Sequence, residues 1–317
     1  MIKLSISSMS TYLDCPAKWY FQYIRKIPQK VDYPRLCGQV VHTFIASLYN
    51  NKATERKFLY KTIDSARHAW FYTWTKQLEK NNQRIVGLDS EKGKIYGGVG
   101  WECIQTYWNQ NFDKPDPIAK EKRFSVPYRQ GVELIGVVDQ IRNISSEFIP
   151  RIRPELVNGS ELDPKFDPVV IVDFKSGRYD YEVPPDSTEI EAIRHQIDLQ
   201  RNLQASAYSL LYQKYHSGRL PLGFYLYQLR NGKLFFVRGD DEESQKILTD
   251  NINHVLGNIV NESFPKNPGP HCRTCDYVES CIENSDFYIS NALDIPDSIF
   301  VAKKKVDRPR QLRFRLK

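Results

Sequence analysis

The chain has 317 residues, 41% apolar and 13% aromatic, with 45 Lys and Arg against 38 Asp and Glu and a formal net charge of +7. The length allows one large domain or two modest ones, and the apolar content suffices for a core, which excludes disorder as the main state. No apolar run is long enough to span a membrane, and the N-terminus MIKLSISSMSTYLDCP has no apolar h-region or cleavage pattern, so a cytoplasmic location (host cytoplasm for a viral chain) is expected.

In chain order, residues 5–27 predict an aromatic helix. Ser5, Ser7, Ser8 and Ser10 offer capping oxygens, and Tyr12, Trp19, Tyr20, Tyr23 and Ile24 follow at helical spacing. Gly38–Asn50 predicts a second helix, with Val40, Val41, Phe44, Ile45 and Leu48 on one face. Residues 53–80 and 93–112 read as helices whose aromatics serve either as core or as stacking platforms for bases. The pattern then turns to short β-type runs at Lys122–Pro127, Val132–Ile144, Val169–Lys175, Gly223–Gln228 and Lys233–Arg238. Arg230-Asn231-Gly232-Lys233 predicts a hairpin turn. Residues 145–168 are polar and too long for a tight turn, and read as an insertion. Glu189–His216 predicts one long helix and Glu242–Asn261 another, before Pro265, Pro268 and Pro270 break the chain. The residues from Ala302 on carry eight Lys and Arg and one Asp, which is the whole net charge, so residues 1–301 are neutral. Such a tail reads equally as a phosphate-attracting arm or as a solubilising one.

Two strand ends carry chemistry. In Val169–Lys175 the apolar run implies burial on both faces, with Asp173 and Lys175 on one face and Phe174 on the other. An acid and an amine there are costly unless paired or used. Asp139 ends the run Glu133–Asp139 on the face of Ile135 and Val137, and Gly136 allows a backbone or ligand to come close. Two Asp and a Lys on adjacent strand ends suit a hard divalent cation. The alternative is a buried ion pair without chemistry. His42 sits at the edge of its helix's apolar stripe, where Gly38 one turn earlier predicts open space beside the imidazole. Gln196, Gln200, Gln204 and Tyr208 follow at four-residue spacing, which predicts a polar stripe on the long helix.

The six cysteines lack a secretory context, which favours metal binding or catalysis over disulfides. Cys272, Cys275 and Cys281 stand in a C-x2-C-x5-C spacing, suited with a fourth thiolate to a [4Fe–4S] cluster or to Zn²⁺. His271 beside them keeps zinc open, and Cys37 and Cys103 read as buried apolar residues.

The order of these motifs resembles the PD-(D/E)XK nuclease superfamily, within it the RecB-like and AddB-like branch that carries an iron–sulfur cluster and includes the CRISPR-associated adaptation nuclease. The resemblance runs through Leu4–Pro16 with Trp19-Tyr20, Gly38–His42, Gly136–Asp139, Ile171–Lys175, Gln204–Tyr208 and the three C-terminal cysteines. It implies an α/β core, a central mixed sheet flanked by helices, with a helical N-terminal half and a C-terminal iron–sulfur segment. It implies one domain over residues 1–290, with 1–30 and 263–290 forming a cysteine clamp, 31–118 the helical part and 119–262 the catalytic core, ahead of a basic tail from 291. His42, Asp139, Asp173 and the Phe174 carbonyl would bind Mg²⁺ or Mn²⁺, and Lys175 would orient the attacking water. Gln204 and Tyr208 would support Lys175, with Glu121 and Gln200 further out, and Cys15 would be the fourth cluster ligand.

The implied activity is metal-dependent DNA hydrolysis, preferring single strands or frayed ends, as an exonuclease with some endonuclease action in repair, recombination, CRISPR adaptation or phage DNA processing. The sequence has no G-x-x-x-x-G-K-[ST] motif, so a helicase, recombination or CRISPR protein would be a separate partner. The competing readings are a non-catalytic nucleic-acid-binding or adaptor protein on the same fold, and an iron–sulfur redox protein.

Overall fold

A computed structural model of the chain describes residues 2–49, 59–82, 84–85, 87–159, 161–177, 187–191, 195, 199 and 202–283. The basic tail lies outside these residues. The chain opens with a strand, β1 (Ile2–Ser5), ahead of the expected first helix. Ser5 and Ser8 then exchange reciprocal hydrogen bonds, at 3.0 and 3.1 Å, that cap α1 (Ile6–Asp14). The single aromatic helix expected over 5–27 is broken. Cys15 is extended because Pro16 disfavours a helical residue before it and has no N–H to donate. A short α2 (Pro16–Trp19) and a π-helical turn (Tyr20–Ile24) follow.

Helix α3 (Tyr33–Ser47) begins before the expected Gly38, because the Asp32 carboxylate accepts the Arg35 N–H at 2.8 Å and Pro34 fits the first turn. Thr62 caps α4 (Ile63–Asn81), and Asp89 caps α5 (Ser90–Asn111). Trp70 and Trp74 lie buried against α5, donating to the Gly97 and Gly93 carbonyls, each at 2.8 Å. With Trp19 and Trp108 also buried, these rings are core rather than stacking platforms.

The strands follow the predicted runs: β2 (Ala119–Arg129), β3 (Val132–Asn143), β6 (Phe166–Lys175), β7 (Leu220–Gln228) and β8 (Lys233–Val237). Between β3 and β6 the insertion is ordered. It holds α6 (Ile149–Ile152), a 3-10 turn and the small ribbon of β4 (Val157–Asn158) and β5 (Glu161–Leu162), and its last residues already belong to β6. The long helix expected over 189–216 is interrupted. Asn202 is non-helical, and its side chain accepts the Gln204 and Ala205 N–H groups to start α7 (Leu203–Tyr215). Asp241 caps α8 (Glu242–Val260), and α9 (Val278–Glu283) closes the described chain.

The main sheet is mixed. β2 runs antiparallel along one edge of β3, from Val132 to Ile141. The opposite edge of β3 is shared: β1 pairs in parallel with Val132–Ile135, and β6 pairs antiparallel with Gln140–Asn143. Residues 136–139 therefore have no described strand on that edge. The β6–β7 pair is parallel, and the β7–β8 hairpin turns at the predicted Asn231-Gly232, with Gly232 at φ +73°.

Helices α3, α4 and α5 cover one face of the sheet, burying Val41, Ile45, Ile104 and Tyr107 with Val170, Val172 and Phe174 of β6. Helices α1, α7 and α8 cover the other, burying Leu211, Leu248 and Ile252 with Leu134, Ile171 and Leu226. This is the expected α/β layering, and it explains why β6 is apolar on both faces. Cys37 and Cys103 are buried at 3% and 0% exposure, as apolar residues would be, and burial pushes their thiols up to about 12 and about 11. No described helix is long and apolar enough to cross a membrane.

Candidate catalytic site

The site forms where β3 and β6 part. Their pairing ends at Gln140 with Val172, one residue short of Asp139 and Asp173. Beyond that point the Phe174 N–H donates to Asp139 Oδ2 at 2.6 Å instead of to a strand carbonyl. The alternation of β3 slips at the same place. Val138 and Ile141 both lie in the α7 core, whereas Asp139 reaches His42 on α3 and Gln140 reaches Tyr107 on α5. Across the other edge, Glu121 of β2 adopts φ +46°, a left-handed conformation rare outside glycine. A strained residue beside a strand slip is often found near a functional site.

Asp139 and Asp173 consequently face different neighbours. Asp139 Oδ1 lies 3.0 Å from His42 Nδ1. Asp173 Oδ1 accepts the Gln204 amide at 2.6 Å, and its Oδ2 lies 2.6 Å from the Lys175 ammonium. Lys175 also donates to Gln204 Oε1, at 2.9 Å, so one amide bridges both charged groups. The Gln204 amide reaches Tyr208 at 3.3 Å, and the Tyr208 hydroxyl donates to the Val137 carbonyl at 2.7 Å. That last bond satisfies a backbone acceptor within the unpaired stretch of β3. A Cβ on Gly136 would stand 2.6 Å from Leu211 and 3.0 Å from Tyr208, so it is side chains of α7, rather than a ligand, that approach this glycine.

The charges respond to burial. Desolvation raises the Asp173 carboxyl, Lys175 opposes that rise, and Asp139 adds to it. Desolvation alone would lower His42, but the hydrogen bond and charge of Asp139 overcome it and raise the imidazole. Glu121 is raised by desolvation first and by the charge of Asp139 second, which puts it in the electrostatic surroundings of the pair.

One expectation does not hold in detail, and part of another lies outside the described residues. A Cβ on Gly38 would lie 3.0 Å from Ser176 Oγ, so the room left by that glycine is taken by Ser176 instead of standing open beside His42. Gln196 and Gln200 lie outside the described residues, and the break at Asn202 divides the expected stripe, so only Gln204 and Tyr208 of it are placed at the site.

The two carboxylates are hard oxygen donors that suit Mg²⁺ or Mn²⁺, and the borderline imidazole nitrogen beside them suits Mn²⁺ better than Mg²⁺. The buried Asp173 Oδ2 has the Lys175 ammonium as its partner, at 2.6 Å. Among the described residues, no three or more His, Cys, Asp or Glu side chains are placed together so as to hold a metal ion, and both Asp139 oxygens are engaged by His42 and the Phe174 N–H.

The cysteines converge where α1 ends at Cys15. The Ala17 N–H donates to the Pro265 carbonyl at 3.1 Å, Asn267 to the Asp14 carbonyl at 2.8 Å, and Arg35 pairs with Asp276 at 2.9 Å, which ties the C-terminal segment to the N-terminal helices. Cys15, Cys275 and Cys281 share a small apolar cluster with Ala17, Phe21 and Tyr277. All four expected ligands are free thiols. Burial raises Cys281, Lys266 opposes that, and the charges of Cys15, Cys275 and Cys272 raise it further, which places the four in one electrostatic neighbourhood.

The family description of the PD-(D/E)XK nuclease superfamily matches residues 3–152 and 162–282. Among solved structures, the chain is similar to one named "Putative exonuclease" from Eubacterium rectale, at a TM-score of 0.43 and 10% identity, over 90% of this chain and 89% of that one. No curated protein matches the sequence.

Proposed function

The chain belongs to the PD-(D/E)XK nuclease superfamily, and from that premise we propose that it is a divalent-metal-dependent deoxyribonuclease acting on single-stranded or frayed DNA ends, mainly as an exonuclease. The observation that carries this reading is the linked set Asp139, Asp173, Lys175 and Gln204 at the parting of β3 and β6. Asp139, Asp173, His42 and the Phe174 carbonyl would hold Mg²⁺ or Mn²⁺. Such an ion, when bound, polarises a phosphate oxygen and lowers the pKa of a coordinated water. Lys175 would orient the attacking water and offset charge gathering on the phosphate, while Gln204 fixes the ammonium against Asp173 and Tyr208 steadies Gln204. Glu121, beside Asp139, would tune the carboxylate pair from outside.

End-labelled linear and circular single-stranded DNA, incubated with Mn²⁺ or Mg²⁺, test this reading. The expected result is metal-dependent loss of the linear substrate with the circle largely spared. Binding of both without cleavage of either sinks the nuclease reading and favours a binding or adaptor role.

The four cysteines would carry a [4Fe–4S] cluster that fastens the N-terminal helices to the C-terminal segment. The clustering of Cys15 with the C-terminal cysteines supports this, and Zn²⁺ is the competing occupant. Anaerobic purification should yield brown protein with about four irons per chain and matching sulfide. Colourless protein holding one zinc would overturn the iron assignment. Exchange of Cys15 for Ser should lower the melting temperature before it alters chemistry, because metal binding at such a clamp is folding free energy.

A further inference from the structure

The edge of β3 that neither β1 nor β6 covers opens into a cavity of about 330 Å³. Its inner wall is Gln204 and Tyr208, the same side chains that hold Lys175 and Asp173. Its outer wall is Arg123 of β2 with Ser7 and Ser10 of α1, and exposed Val137 lies on its floor. No described acidic side chain lines it.

Arg123 makes no ion pair with a described carboxylate. The acid that feels its charge, Glu133, is already engaged by Ser125 and, at 3.5 Å, by Lys3. The serines leave a donor as well. Ser5 Oγ accepts the Ser8 N–H and lies 3.1 Å from Ser7 Oγ, and Tyr23 also hydrogen-bonds with Ser7, so Ser7 can accept from both and keep its own proton to donate outward. A planar guanidinium beside a hydroxyl donor, in a slot that no described acid lines, matches the oxygens of a phosphodiester.

We infer that this slot is a second phosphate-binding position, at which Arg123 and Ser7 hold a phosphodiester of the substrate strand near the one at Asp173 and Lys175. The inference rests on the nuclease reading above. Its consequence is directional: the strand is led along the gap in the sheet from α1 toward the carboxylates, with Val137 offering an apolar surface to a sugar or base. Sequence reading passed over Arg123 because a basic residue on an exposed strand face is common, and only its position opposite the sheet gap singles it out.

The test uses the full chain and fluorescein-labelled single-stranded DNA, read by anisotropy in EDTA so that no strand is cut. Arg123→Ala should weaken binding about tenfold. It should also flatten the plot of log affinity against log salt by about 0.7, the effect of one lost phosphate contact on a single strand. Arg123→Lys should keep most of the salt slope, and the melting temperature of both variants should match wild type. In a second arm, one neutral methylphosphonate is moved along the strand. One linkage should weaken wild-type binding and leave Arg123→Ala unaffected. Unchanged affinity and slope in Arg123→Ala, or no linkage whose effect depends on Arg123, overturns the inference even if wild type cuts DNA with Mn²⁺. Failure of wild type to cut DNA that it binds sinks the nuclease reading instead, and the methylphosphonate scan still decides the slot.

Discussion

Exchange of Lys175 for Ala should lower the single-turnover rate of DNA cleavage about 10²- to 10³-fold, the range seen when one preorganised charge or donor is removed from a transition state. The Lys175 ammonium is held at both ends of a short bridge, 2.6 Å from Asp173 and 2.9 Å from Gln204. It is therefore preorganised before any substrate arrives. Removing it deprives the buried Asp173 carboxyl of the group that counters its desolvation, so the carboxyl should take up a proton more readily. That response spares the fold and harms the chemistry. Lys175→Arg should not rescue the rate, because a planar fork cannot reproduce a compact ammonium beside the same amide. Gln204→Leu should give a smaller loss, since it loosens Lys175 without removing it. Wild-type cleavage rates in a folded Lys175→Ala protein would show that the Asp173–Lys175 pair is structural only.

Arg153→Met should destabilise the protein by about 3 kcal/mol in chemical denaturation, the low end of the cost of breaking a buried pair, because Asp240 then keeps only Arg238, at 4.0 Å. Arg153 closes the insertion onto the sheet. Its side chain is 2% exposed and its two terminal nitrogens meet Asp240 at 3.1 and 3.0 Å, while Asp240 is itself 6% exposed. The same guanidinium donates to the Leu222 carbonyl of β7 at 2.6 Å and lies over the Phe166 ring. The apolar stem of Met keeps most of the packing, so the loss isolates the charge. Joining it to Asp240→Leu should recover part of the loss, because a paired apolar replacement leaves no buried carboxylate behind. A single variant as stable as wild type would mean that Asp240 reaches water or a proton at little cost.

Much of the layering was legible in local pattern. The apolar run of β6 announced a strand covered on both faces, and α3–α5 and α7 do cover it. The Asp173–Lys175 face, the Gln204–Tyr208 spacing and the Asn231-Gly232 turn are likewise properties of a few neighbouring residues, and the structure realises each of them. Local pattern erred where a single residue breaks a period. Pro16 ended the first helix, and Asn202 restarted what read as one long one, because capping and the missing proline N–H act at one position while hydrophobic periodicity is averaged over a window. Gly38 misled for another reason. A glycine signals that something comes close, and only the fold tells that the neighbour is Ser176.

From the sequence alone came the identity and order of the groups: two carboxylates on strand ends, a lysine two residues after one of them, a histidine on a preceding helix, and cysteines at the two ends of the motif run. Periodicity and turn chemistry encode these because they depend on residues adjacent in the chain. The tertiary structure decided which of them meet. The unpaired stretch of β3 exists because β1 pairs with β3 only as far as Ile135 and β6 only from Gln140 on, two registers set by packing between segments far apart in sequence. The same long-range registers turn Asp139 toward His42, draw Gln204 between Asp173 and Lys175, and leave Arg123 facing a cavity. Strand register is chosen by which faces bury together across the whole sheet, and no local window of residues contains that choice.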